Sequence, residues 1–140
     1  MAIAKQAFYE GAALHLVARA DGMRSIRYEA PFFIFNDLLK VSLKYSTNKR
    51  SPWGFTFTVD EQETLTKNRS GQPMILGLVC GADGVAALPY EAYLRVASPR
   101  DLAIRISCYR QHGEHYEIKG PDGILDGKVP PGAWQKILRC

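Results

Sequence analysis

The chain has 140 residues, a formal net charge of +4 at neutral pH and 46% apolar side chains. This composition excludes collagenous, mucin-like and wholly disordered classes, and it predicts a single domain over residues 1–140 that buries a core of its own. No apolar run reaches the roughly 18 residues of a spanning helix, so no membrane association is expected, and MAIAKQAFYEG lacks the basic start and cleavage site of a secretory leader.

Residues 4–20 carry helix formers, with Ala7, Leu14, Val17 and Ala18 on one side at 100° per residue, and Asp21-Gly22 supplies a stop. Ser25 to Phe35 reads as extended, interrupted by Pro31, which cannot donate a ladder hydrogen bond. Asn36-Asp37 reads as a turn. From Leu39 the alternation is regular: Leu39, Val41, Leu43 and Tyr45 share one side of a strand, and Lys40, Ser42, Lys44 and Ser46 share the other, expected to face solvent. A basic loop, TNKRSPWG, follows over 47–54, then a strand over 55–59 and a short helical stretch within 61–71.

MILGLVC at 74–80 is apolar on both faces and predicts a central strand. Gly81 to Gly84 forms a turn, Val85 to Leu88 pairs back, and Pro89 opens a helix over 90–96, where its missing N–H costs nothing. Leu102, Ile104, Ile106 and Cys108 alternate in another strand, Gln111-His112-Gly113 turns, and Tyr116 and Ile118 return as far as Gly120. Trp134, Ile137 and Leu138 mark a short closing helix. The sum is an α+β fold: a leading helix on a mixed or mostly antiparallel sheet, with a C-terminal hairpin and a closing helix. The three cysteines, Cys80, Cys108 and Cys140, have no zinc-site spacing and read as thiols of a reducing compartment, so the expected location is cytoplasmic.

Lys40, Lys44, Lys49 and Arg50 place four cations within eleven residues with no acid among them, and Trp53 stands nearby. Cations neutralise phosphates and an exposed indole stacks on a base. The leading expectation is therefore a nucleic-acid or nucleoprotein surface made of Lys40, Lys44, Lys49, Arg50 and Trp53, with no cofactor and no assigned catalysis. A second expectation is a protein-interaction or homo-oligomeric assembly module, motivated by the apolar segments Phe32–Phe35 and Trp134–Leu138.

One charge falls on the wrong side of the first helix. Glu10 lies between Val17 and Leu14 on the helical wheel, a costly place for a carboxylate unless a partner such as Lys40 or Lys44 compensates it. Asp37 stands before the strand that carries Lys44, with Ser42 two residues ahead of that lysine. Over residues 4–60 the pattern resembles the restriction-endonuclease-like superfamily, whose core is a leading helix and a mixed sheet carrying a PD…(D/E)xK signature. The resemblance implies Glu10, Asp37 and Lys44 as catalytic residues, with Glu10 and Asp37 holding Mg²⁺; Ser42 takes the place of the second signature acid. A Mg²⁺-dependent nuclease is thus the third expectation, and enzymatic activity stays open at this level.

Overall fold

A computed structural model describes residues 2–111 and 113–139, so His112 of the expected turn and Cys140 lie outside the described residues. The elements run α1 (Lys5–Ala18), β1 (Ile26–Glu29), β2 (Phe32–Phe35), β3 (Leu39–Ser46), β4 (Trp53–Phe57), α2 (Val59–Asn68), β5 (Met74–Cys80), β6 (Gly84–Pro89), α3 (Tyr90–Val96), β7 (Ile104–Tyr109), β8 (Glu117–Gly120), β9 (Gly123–Ile124) and α4 (Ala133–Leu138). The architecture is α+β, as the hydrophobic periods predict. The strands divide into two sheets: a five-stranded one ordered β1-β2-β3-β5-β6 and a four-stranded one ordered β4-β7-β8-β9. β3 and β5 run parallel, and every other described strand pair is antiparallel.

The larger sheet is covered on both faces, which is why β5 is buried along its whole length. On one face, Ala13 and Val17 of α1 and Trp134 and Leu138 of α4 pack on Val41, Ile75, Val79 and Val85. On the other, Met74, Leu76, Leu78 and Cys80 meet Phe55, Phe57, Ile104, Ile106 and Ile118 of the smaller sheet, with Leu65 of α2 and Tyr93 of α3. The first helix reaches its sheet through Tyr9, Ala13 and Val17, a four-residue repeat, while Ala7 and Ala18 are exposed. Tyr9 stacks on Tyr45 with ring centroids 5.0 Å apart.

Three expectations need correction. The Lys40–Ser46 face of β3 is not a solvent face: α2 and β4 pack over it, so Lys40, Ser42 and Lys44 are half-buried and Ser46 is buried. The strand expected over 55–59 starts at Trp53 and ends at Phe57. Thr58 instead caps α2, its hydroxyl accepting from the Glu61 N–H while the Glu61 carboxylate accepts from the Thr58 N–H, and this capping box draws Val59 and Asp60 into the helix. Finally, Phe32, Ile34, Phe35, Trp134 and Leu138, which motivated an assembly surface, are core residues. Among the described residues no helix is long and apolar enough to cross a membrane.

Candidate nucleic-acid interface

The β2–β3 ladder stops at the pair Phe33↔Val41, so the second half of β3 has no strand on that side. Two openings meet there. One, of about 230 Å³, is lined by Gln6 and Glu10 of α1, Ser42 and Lys44 of β3, and Asp60, Glu61 and Thr64 of α2, above an apolar floor that includes Phe57. The other, of about 460 Å³, runs between the end of β3 and the smaller sheet, with Lys44, Tyr45, Ser46, Thr47, Asn48, Gly54, Thr56 and Arg105 on its walls. Lys44 belongs to both.

Lys44 is held by two contacts. Its ammonium forms an ion pair with Glu61, and it lies 5.0 Å from the centroid of the Phe57 ring. Burial of Glu61 would raise its carboxyl, but the hydrogen bonds from Lys44 and the Thr58 N–H and the charge of Lys44 outweigh that effect, and the group lies below the usual carboxylate range. The compensation expected for Glu10 comes from elsewhere: Gln6, one turn earlier, donates to Glu10 at 2.8 Å.

The second groove carries no carboxylate. β3, the following loop and β4 supply most of its walls, and the chain from Leu38 to Val59 contains four cations and not one acid. Arg105 completes it from β7. In the β4–β7 ladder Thr56 pairs with Arg105 and Gly54 with Ser107, so the long arginine side chain lies diagonally over Gly54. A Cβ on Gly54 would stand 2.0 Å from an Arg105 guanidinium nitrogen. The glycine is thus a seat for the guanidinium, which has no anionic partner among the described residues.

The loop beside this groove is fastened at both ends. The Trp53 indole N–H donates to the Asn48 carbonyl at 2.9 Å, Asn48 donates to the Pro52 carbonyl at 3.1 Å, and the Ser51 hydroxyl donates to the Arg110 carbonyl at 2.9 Å. Gly81, at φ +54°, approaches so closely that a Cβ would lie 2.3 Å from the Asn48 oxygen, which restricts the position to glycine. Lys49 and Arg50 project from the tip of this anchored loop, both exposed and without an ionic partner among the described residues.

The sequence-derived site residues separate accordingly. Lys44 lines the second groove, and Lys49 and Arg50 follow its lining residue Asn48 in the chain, exposed but not among the residues on its walls. Lys40 does not join them: its ammonium donates to the Asn68 carbonyl at 3.2 Å and lies over the Phe32 ring, neutralising the C-terminal end of α2. Trp53 offers no stacking surface, because it is only 2% exposed and faces the core against Tyr116. Glu10 and Lys44 do share a cavity, but Asp37 does not reach it. Asn36 and Asp37 both take φ of 56° in the β2–β3 hairpin turn, a conformation their short polar side chains tolerate, and Asp37 pairs with Arg27. From Leu39 to Lys44 the strand advances roughly 17 Å, so Asp37 and Glu10 form no common Mg²⁺ site. Among the described residues no three His, Cys, Asp or Glu side chains are grouped to hold a metal ion. Arg105 escaped sequence reading, since there it is merely a polar position in an alternating strand.

No family model, curated protein or solved structure matches the chain.

Proposed function

We propose that the protein binds the phosphate backbone of a nucleic acid in the groove between β3 and β4. The observation that carries this reading is the presence of Lys44 and an unpartnered, glycine-seated Arg105 on the walls of one cleft without carboxylates, with the exposed Lys49 and Arg50 next in the chain after its lining residue Asn48. A guanidinium presents a planar fork of donors suited to phosphate oxygens, and an arginine with no internal acceptor loses no ion pair when a phosphate arrives. Thr47, Asn48 and Thr56 add neutral hydrogen-bonding groups that position a backbone without reading its sequence. Lys44 contributes only by exchanging Glu61 for a phosphate, so its share is smaller. Binding without hydrolysis is the form of this reading, because the carboxylates that line the adjoining cavity are already committed to Gln6, Lys44 and Thr58 or lie singly.

Fluorescence anisotropy with short labelled oligonucleotides at low and moderate salt tests the proposal. Affinity should fall with rising salt, by about 0.7–0.9 in log K per log salt for each phosphate contacted. The double reversal Lys49→Glu with Arg50→Glu should abolish most of it, as should Arg105→Glu. Absence of binding at low salt, or indifference to these reversals, would refute the groove as a phosphate site.

A further inference from the structure

The groove opens onto the outer face of the smaller sheet, and the register there places residues in rows. Gly54, Ser107, Lys119 and Ile124 form one row across all four strands. Thr56 and Arg105 flank it on one side, Tyr109 and Glu117 on the other. Ser107 is the small residue at the middle of this face, between Lys119 of the same row and Gly54, which lies under the Arg105 guanidinium, with Tyr109 one pair further along β7. Tyr109 is 40% exposed and its hydroxyl accepts from the Gln111 amide at 3.4 Å. Arg105 and Lys119 are exposed and have no carboxylate partner among the described residues. Arg105 and Tyr109 lie four residues, roughly 13 Å, apart on the same side of β7.

We infer that the nucleic acid held in the groove is single-stranded and that it continues across this sheet face, with a base stacked on Tyr109 and a phosphate at Lys119. The inference rests on the groove reading and adds the class of strand. Its physical basis is the combination of two cations without a carboxylate partner among the described residues and an exposed ring on one face of the sheet. Every base has a π-face that a tyrosine can meet, but in a duplex that face is already covered by the neighbouring base pairs, so an exposed ring favours unpaired strands. Cations alone do not discriminate in this way.

The full chain should be titrated with a 12-nucleotide single strand and with the corresponding 12-base-pair duplex, each labelled, in the same low-salt buffer. The expected result is a preference for the single strand. Tyr109→Ala should lower single-strand affinity about tenfold and leave duplex affinity unchanged, whereas Tyr109→Phe should retain single-strand binding. Lys119→Glu, outside the groove, should weaken the single strand and flatten its salt dependence. Far-UV circular dichroism of each variant establishes that it is folded. Equal affinity for both oligonucleotides, or no loss in Tyr109→Ala while Arg105→Glu abolishes binding, would overturn the sheet-face path and leave the groove standing. Failure of the unmodified protein to bind either oligonucleotide would overturn both.

Discussion

Lys44 illustrates how packing overturns the exposure that a side chain's spacing predicts. Its spacing marks it as a cation of the polar side of β3, but that side is covered, and Glu61 competes for its charge. Replacing Glu61 with Gln should preserve the capping box, because an amide at that helix position accepts from the Thr58 N–H as a carboxylate does. It should also release Lys44, tightening oligonucleotide binding several-fold and steepening the salt dependence by up to one phosphate equivalent. Gly54→Ala makes the opposite test. The added methyl meets only the end of a flexible arginine, so thermal stability should change little while affinity falls several-fold as Arg105 is tipped from its seat. Gln62 has a purely structural role. Buried, it donates to the Phe57 and Leu102 carbonyls at 3.2 and 2.8 Å and accepts from the Arg100 N–H at 3.0 Å. Gln62→Ala leaves those backbone groups unpaired and should cost about 3 kcal/mol, lowering Tm by roughly 10 °C in calorimetry.

At the scale of elements, what the sequence revealed depended on whether a signal was local. The strand character of β3, the all-apolar β5 and the Pro89 start of α3 are local, and the structure has these elements where the sequence predicts them. The boundary between β4 and α2 differs from the prediction, because Thr56, Thr58 and Asp60 continue an alternating pattern while the capping box at Thr58 and Glu61 ends it. Asp37 carries two expectations, a turn from its own residue type and neighbour and a metal ligand from the resemblance; its left-handed backbone in the β2–β3 hairpin is that of the turn. The loop between β3 and β4 is the element on which the groove depends. Trp53→Phe removes the indole N–H that holds Asn48, and it should cost about 1–3 kcal/mol through the unpaired carbonyl and the lost packing, measurable by urea denaturation.

At the scale of the whole molecule, contacts between distant segments govern stability. Cys80 of β5 and Cys108 of β7 lie on facing sheets with sulfurs 3.7 Å apart and no solvent exposure. The hydrogen bond to Cys108, together with burial, pushes the Cys80 thiol up, and neither sulfur is accessible, so both thiols should be closed to a disulfide-exchange reagent in native buffer and react only on unfolding. Asp122 ties the β8–β9 turn to the segment after α3: its carboxylate accepts from the Ser98 N–H and hydroxyl and from Arg100. These contacts, the Ser98 N–H foremost, hold it down to about 2. A depressed carboxyl stabilises the fold fully above its unfolded value near 4, and that contribution is lost as pH falls through the folded value. Urea midpoints compared at pH 3 and pH 7 should therefore converge in Asp122→Asn relative to the unmodified chain.

The sequence by itself determined the fold class, the central strand, the leading and closing helices and the acid-free basic segment, because periodicity, capping and charge density are properties of contiguous residues. Only the tertiary structure decided which charges meet. The division of the strands into two sheets turned Lys40 toward a helix end, buried Trp53 and set Asp37 apart from Glu10. It also laid Arg105 over Gly54, roughly fifty residues away in the chain. That last juxtaposition depends on the register of one antiparallel strand pair, and register is set by packing on the core rather than by the residues on the open face.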